Sequence, residues 1–169
     1  MSYWLKVQTA LEQLFYKATG ITFMWEDEPR KMMQHPFGLL SLGQSISIGR
    51  DRSGYTFHDS DVTLELYGHR ELTVSVQIFS RQAKGESSAR ALIEKARLAL
   101  ANPILRDELR CAGLIFVENH PVVDVNFSFD QRYEARTAFD VVFRLMLNEQ
   151  HAWNEGGYFE SIDISENVL

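Results

Sequence analysis

The chain has 169 residues, of which 45% are hydrophobic, and it carries a formal net charge of −6. A chain of this length forms one sizeable core but is short for two, so we expect a single domain over residues 1–169. The acidic balance argues against a surface built to neutralise phosphates, because nucleic-acid binding requires clustered Lys and Arg.

The first predicted element is an amphipathic helix that Ser2 caps and Gly20 ends. Its apolar residues are interrupted by Lys6, Glu12 and Lys17, which excludes a signal peptide and a membrane span. We therefore expect a soluble protein that is cytoplasmic where it is made. The apolar face of this helix contains Trp4, Val7, Leu11, Leu14, Phe15 and Ala18.

Two strands are predicted next. Residues 21–25 are aromatic and β-branched, and an acidic turn at residues 26–28 ends them. Residues 36–48 form the second strand, in which Gly43 indicates a bulge or bend.

Residues 49–61 are rich in turn signals and charges, with only Tyr55 and Phe57 apolar. We interpret this stretch as a long exposed loop, with a protruding hairpin as the alternative. A loop of this length in a compact domain is usually functional or disordered, and the paired aromatic side chains favour a docking tip.

Residues 62–79 alternate apolar and polar side chains, with an interruption at Gly68-His69. Because glycine at the first turn position suits a type II′ loop, we predict a two-residue hairpin with one buried face. The alternating apolar residues are Val62, Leu64, Leu66, Leu72, Val74, Val76 and Ile78.

Two helices are predicted in the middle of the chain. Ser87 or Ser88 caps the first, whose apolar face contains Ala89, Leu92, Ile93, Ala96 and Leu100. Asn102 caps the second, Pro103 occupies its first turn, and Gly113 closes it.

The C-terminal third is predicted to be mainly strands. Strands are expected at residues 114–118 and 122–129, the second of which alternates apolar and polar side chains, with a turn at Asp130-Gln131. A short final strand is expected at Phe159 to Ile164. Residues 134–148 fit a strand and a helix equally well, so periodicity leaves both open. The chain is therefore predicted to be an α+β domain, a mainly antiparallel β-sheet flanked by an N-terminal helix and a central helical segment.

Motifs for catalysis are missing from the sequence. There is no phosphate-binding glycine loop, no His-Glu-x-x-His and no nucleophile elbow. His58, Asp59 and Asp61 resemble a metal-binding run, but polar loops produce such runs by composition, so we interpret them as solvated charge and predict no metal and no cofactor. The carboxylates at residues 26–28 are interpreted as a solvated turn.

The histidines His35, His69 and His120 are each expected in exposed loops, with no Ser or Cys at a distance that would pair with them. The single cysteine, Cys111, excludes an internal disulfide, and we expect its thiol to be buried.

Aromatic side chains divide into two groups. Four lie at element ends or in loops and are candidates for either buried anchors or subunit and partner contacts, namely Trp25, Tyr55, Phe57 and Trp153. The others lie on predicted inner faces and are expected in the core, namely Trp4, Phe15, Phe116, Phe127, Phe129, Phe139 and Phe143.

The order of these features over about residues 20 to 165 resembles the bacteriophage tail-terminator proteins, specifically the phage neck terminator family. The matching stretches are Pro36-Phe37-Gly38-Leu39-Leu40, Glu71-Leu72-Thr73-Val74-Ser75-Val76-Gln77-Ile78-Phe79, the helix 87–101, Arg132-Tyr133-Glu134-Ala135-Arg136 with Asp140 and Phe143, and Ile162-Asp163-Ile164. The resemblance favours a strand at residues 134–148.

The resemblance implies a virion component without catalysis. Such subunits close into a ring, usually a hexamer, at the head-proximal end of the tail tube. Its implied partners are further copies of itself, the tail tube protein, a neck, connector or head-completion protein, and the sheath protein where the tail is contractile. DNA would pass through the lumen without specific binding, and no membrane is involved.

Two other functions remain open. One is a different tail, neck or baseplate adaptor with the same fold. The other is a small host enzyme or regulatory domain, which metal-dependent turnover would reveal.

Overall fold

The computed structural model describes residues 3–28, 33–58, 61–82, 84–125, 127–129 and 132–152. The described residues form three helices and eight strands, an α+β arrangement as predicted. The helices are α1 (Tyr3–Thr19), α2 (Ala89–Ala99) and α3 (Pro103–Cys111). The strands are β1 (Phe23–Trp25), β2 (Phe37–Ser47), β3 (Arg52–His58), β4 (Asp61–Ser80), β5 (Leu114–Asn119), β6 (Val123–Asp124), β7 (Phe127–Phe129) and β8 (Arg132–Ala152).

The sheet is built around two long antiparallel strands, β4 and β8. Its main order is β1-β2-β4-β8-β5; β3 also pairs with β4, and β6 and β7 pair with β8. Only the β1–β2 pair is parallel among the described strands. The predicted bulge in β2 is confirmed, because the register shifts between Leu42 and Ser45, around Gly43.

One face of the sheet, here called the helix face, packs against the three helices. On β4 it carries Leu72, Val74, Val76 and Ile78, all at most 2% exposed. The opposite face, called the open face, has no helix on it among the described residues and carries polar side chains such as Ser75. Helices and helix face share one core, whose largest buried side chains include Phe15, Leu11, Leu14, Ile93, Leu109 and Phe143.

Capping side chains fix where α2 and α3 begin. The Ser88 hydroxyl accepts a hydrogen bond from the Ala91 amide, and the Asn102 side chain accepts one from the Ile104 amide. Gly20 and Gly113 follow α1 and α3 with positive φ, as helix-ending glycines do. The predicted helices are therefore confirmed; Ser2 lies outside the described residues.

The predicted hairpin at Gly68-His69 is wrong, because both residues lie inside β4. Cross-strand neighbours share a face, so a two-residue turn there would have placed Leu66 opposite Glu71 and Leu64 opposite Thr73. The apolar residues of the two halves would then have faced opposite sides. A single strand keeps all of them on one face, and β8 pairs with it without a break from residue 63 to residue 80.

The predicted loop at residues 49–61 is also wrong, and its hairpin alternative is confirmed. β3 pairs with β4 in antiparallel register, from Arg52 opposite Tyr67 to His58 opposite Asp61. Polar composition suggested a loop, but the alternation of Tyr55 and Phe57 with small polar residues fits an exposed edge strand.

The ambiguous stretch at residues 134–148 belongs to β8, which confirms the strand. The predicted strand at residues 122–129 is split into β6 and β7, and the apolar side chain of β6 is turned away from the core. Val123 lies opposite Ala138 on the open face and is 57% exposed. Asp124 faces the helices, where the Thr137 hydroxyl donates to it at 3.0 Å.

Cys111 and Trp4, both predicted to be buried, are exposed. Cys111 lies two residues after the buried Leu109, about 200° further round α3, so its thiol faces solvent rather than the core. Trp4 lies on the buried side of α1 but in its first turn, where the core has ended, and is 38% exposed. The predicted turn at Asp130-Gln131 and strand at Phe159 to Ile164 lie outside the described residues.

Candidate assembly site

Strands β3, β4 and β8 continue past the helix layer as a three-stranded arm. The arm consists of β3, residues 61–69 of β4 and residues 146–152 of β8. The buried apolar side chains of β4 begin at Leu72 and those of β8 end at Leu145, and Leu147 at the base of the arm is the last residue of β8 that packs against the core. At about 3.3 Å per residue, nine residues of β4 make the arm roughly 30 Å long.

One side of the arm is apolar and continues the helix face. The register places Phe57 beside Val62, Tyr55 beside Leu64, and Leu147 beside Gly68, all in the same alternation as the buried Leu72. Phe57 is 73% exposed, Tyr55 52% and Leu66 38%. The arm therefore presents an aromatic and aliphatic surface, here called the arm face, which no described helix covers.

The opposite side of the arm is polar. Glu65 accepts hydrogen bonds from the Tyr67 hydroxyl and from the Gln150 amide, the latter at 2.9 Å. Thr56 and Thr63 lie opposite each other on the same side. The two sides of the arm therefore differ in chemistry, which gives the arm a defined orientation towards any partner.

An ion pair marks the base of the arm. Arg70 donates two hydrogen bonds to the carboxylate of Asp51, at 2.6 and 2.8 Å, and this pair lowers the pKa of Asp51. A Cβ atom at Gly68 would lie 2.6 Å from the Arg70 guanidinium and 2.7 Å from the Asp51 carboxylate. Gly68 therefore lies beneath the ion pair inside a continuous strand, and a methyl group there would require the ends of the Arg70 and Asp51 side chains to shift.

Both outer strands of the arm have an unpaired edge among the described residues. β3 pairs only with β4, and β5 leaves β8 at Leu145, so residues 146–152 pair on one side only. Exposed edges of this length offer backbone amides and carbonyls to another strand.

A cleft lies on the open face beside β2, at the end of β4 away from the arm. It has a volume of about 610 Å³. His35 contacts Glu134 at 2.5 Å on one wall, and the guanidinium of Arg136 lies 5.3 Å from the Phe79 ring centre and donates to Gln77. The described residues that line the cleft include no nucleophile next to a base, so we assign it no chemistry.

The four aromatic residues that were candidates for an interface lie in different surroundings. Tyr55 and Phe57 lie together on the arm face, whereas Trp25 is 3% exposed and belongs to the core. Trp153 lies outside the described residues. Sequence reasoning missed that Leu64 and Leu66 belong to the same surface, because it assigned their alternation to a buried face.

The described residues contain no group of three or more His, Cys, Asp or Glu that would hold a metal ion, and Asp59 lies outside them. The predicted solvated turn at residues 26–28 is exposed. His120 is exposed after β5, but His69 lies in the middle of β4, and His35 is half-buried. No described helix is long and apolar enough to cross a membrane.

Comparison with known proteins identifies the family. The model of the family described as phage neck terminator protein matches residues 6–166. No curated protein matches the sequence. A solved structure titled "Virion of native gene transfer agent (GTA) particle" contains a chain that is 12% identical, with 84% of this chain and 94% of that chain covered and a TM-score of 0.32. The family match spans almost the whole chain, so this protein belongs to the phage neck terminator family and is a structural protein of the phage neck or tail, located in the virion.

Proposed function

We propose that copies of this chain close into a ring, a hexamer, on the head-proximal end of the tail tube. The ring ends tube polymerisation and joins the tail to the neck, connector or head-completion protein. Family membership supports this role. The single observation that carries it is the arm, which combines an uncovered apolar side with two unpaired strand edges.

The arm suits a ring because its surfaces are unlike each other. A ring formed head to tail needs two different complementary surfaces on each subunit, and it closes when the rotation between neighbours is right. The edge of β3 and the free edge of β8 differ in sequence and lie on opposite sides of the arm. Pairing β3 of one copy with β8 of the next would satisfy the backbone groups of both edges.

Tyr55 and Phe57 would add a second contact, on the face of the arm rather than along its edges. Large aromatic side chains that are exposed in the free subunit and buried at an interface contribute much of the binding energy of protein assemblies. Together with Leu66, they would lose their contact with water when a neighbouring subunit covers the arm face.

The remaining partners follow from the position of the ring. The tail tube protein would contact one end, the neck or head-completion protein the other, and the sheath protein the outside where the tail is contractile. With a net charge of −6 on every subunit, the ring would repel DNA rather than bind it, which suits a conduit. Before it joins the virion, the subunit would be in the host cytoplasm, where assembly takes place.

Electron microscopy of particles from a phage with a nonsense mutation in this gene tests the proposal. We expect tails of uncontrolled excess length that are not attached to heads. Unattached tails of normal length would indicate that the protein is an adaptor and not the terminator. Intact infectious virions would refute the structural role altogether.

A further inference from the structure

We propose that the arm opens and closes as a unit of its own while the core stays folded, and that assembly holds the arm closed. The boundary between the two parts lies inside the long strands, near residue 70 of β4 and residue 146 of β8. The last step of this inference rests on the proposed function, because the neighbour that would hold the arm is the next subunit of the ring.

Burial changes abruptly at this boundary, although both strands continue through it. On the core side, the side chains of β4 that face the helices are at most 2% exposed, namely Leu72, Val74, Val76 and Ile78. On the arm side, Gly68 is the only buried residue among those whose burial is described, and it has no side chain to pack. Because burial of apolar side chains is the main favourable term in folding, little holds the arm shut.

Hydrogen bonding does not distinguish the two parts. In the arm, residues 63–67 of β4 lie between β3 and β8, and in the core, residues 74–78 of β4 lie between β2 and β8. The two segments therefore have a paired strand on each side and differ in the cover of their apolar side. Segments with few buried apolar contacts open at a lower free energy than the core of the same protein.

An ion pair ties the outer strand of the arm to its base. Asp51 directly precedes β3, and its carboxylate accepts two hydrogen bonds from the Arg70 guanidinium, at 2.6 and 2.8 Å. Two parallel hydrogen bonds make this one of the stronger geometries for an ion pair near the surface, and the Arg70 side chain is only 19% exposed. Separation of β3 from β4 breaks this contact, so the pair favours the closed arm.

Opening of the arm regulates the proposed ring contact. The arm presents two complete edges and the exposed Phe57 to a neighbour only while its three strands are paired. The apparent affinity for the neighbour therefore falls in proportion to the fraction of open arms. A neighbour that binds only the closed arm shifts the population towards that state in return.

Amide hydrogen exchange of the isolated chain, followed residue by residue by NMR, tests the inference. Residues 63–67 of β4 should have protection factors at least about tenfold lower than residues 74–78 of the same strand, because they exchange through local opening. Equal protection in the two segments would overturn the inference, since the arm would then open only together with the core.

Two variants with matched chemistry test the role of the ion pair. Asp51→Asn should lower the protection of residues 63–67 by about a further threefold, the usual scale of a surface ion pair, and leave residues 74–78 unchanged. Glu71→Gln is the control, because it removes a carboxylate that accepts from Arg144 at 3.1 Å on the open face, beside the same boundary. The arm should exchange normally in this control. Equal effects of both variants on the arm, or none from Asp51→Asn, would refute the role of the pair.

Hydrogen exchange in purified virions, read by mass spectrometry of peptides, tests the link to assembly. Peptides from the arm should be at least about tenfold better protected than in the isolated chain, because a bound neighbour removes the open state. Arms that exchange as fast in virions as in the free chain would refute this link. The proposed function is judged separately, by tail length in the nonsense mutant, so either proposal is able to fail alone.

Discussion

At the scale of the residue, Gly38 in β2 has the least room for a side chain among the described glycines. A Cβ atom there would lie 2.2 Å from two ring carbons of Phe23, which is itself 5% exposed and packs on Phe15. The ring of a core phenylalanine cannot retreat without opening space elsewhere, because protein interiors are closely packed.

We predict that Gly38→Ala lowers the free energy of unfolding by about 1–3 kcal/mol, the usual cost of forcing an extra methyl group into a packed core. Urea denaturation followed by tryptophan fluorescence would measure it. Gly54→Ala in β3 is the matched control, since its nearest neighbour would be 4.0 Å away. Equal stabilities of the two variants would contradict this account of the core.

Glu12 on α1 gives a prediction for pH. Its partial burial and the nearby carboxylate of Glu28 raise the pKa of Glu12 above its ordinary value. The charged form is therefore disfavoured in the folded state, and stability is lost as the pH rises through the folded-state pKa. We expect Glu12→Gln to raise the thermal midpoint slightly at pH 7.

The advantage of Glu12→Gln should shrink as the pH falls, because Glu12 then becomes protonated in both states. Thermal melts of both proteins between pH 4 and pH 8 would show it. Glu94→Gln on α2 is a comparison at another partly exposed helix position, where the carboxylate pairs with Arg90. A gain for Glu12→Gln that grew towards acid pH would contradict the argument.

At the scale of the element, helix caps were predictable and strand ends were less so. The sequence left Ser87 and Ser88 open as the cap of α2, and the structure selects Ser88. Its hydroxyl accepts from the Ala91 amide and donates to the Gly85 carbonyl at 2.7 Å. The local pattern of hydroxyl, spacing and apolar stripe is enough to locate a helix, because a helix depends on near neighbours in sequence.

We predict that Ser88→Ala lowers the free energy of unfolding by about 1 kcal/mol, through loss of the cap. Ser87→Ala should cost much less, because it is the Ser87 carbonyl that accepts the hydrogen bond from Ser80, and the substitution retains it. Chemical denaturation of both variants beside the parent protein would compare them. If Ser87→Ala cost as much as Ser88→Ala, the cap would be wrongly assigned.

The long strands show what local patterns miss. Gly68-His69 has the composition of a turn, yet Leu66 and Leu72 lie on one face only if the chain continues straight. The alternation of apolar residues across Gly68 therefore predicts one continuous strand. It outweighs the turn propensity of two residues. Residues 134–148 were ambiguous because strand and helix periods both fit them, and pairing with β4, which settles the matter, is a contact distant in sequence.

At the scale of the whole molecule, the arm is the feature that sequence reasoning found only in part. Tyr55 and Phe57 were identified as a docking tip, and the structure brings them together, but their continuity with Leu66 depends on the register between β3 and β4. The exposed Leu98 and Ile104 lie off the apolar stripes that the sequence predicts for α2 and α3. Trp25 fitted either role by sequence because its neighbours in space come from other elements.

We predict that Tyr55→Ser combined with Phe57→Ser leaves the thermal midpoint of the isolated chain within about 2 °C, since both side chains are exposed and changes at such positions are small. Incorporation into virions should nevertheless fall at least tenfold. Quantitative mass spectrometry of purified particles would measure the copies per virion. Leu5→Ser with Tyr16→Ser, at two exposed positions of α1, is the control and should assemble normally.

The continuity of β4 and β8 from the core into the arm has a mechanical consequence. The same two strands run through both parts without a hinge or loop between them, so a pull on the arm along its strands reaches the core through covalent bonds. The paired strands resist such a pull in shear, with many ladder hydrogen bonds stretched together, whereas a pull across the arm would open them one after another. The subunit is therefore stiffest along its own long axis, and a neighbour that holds the arm takes hold of the core as well.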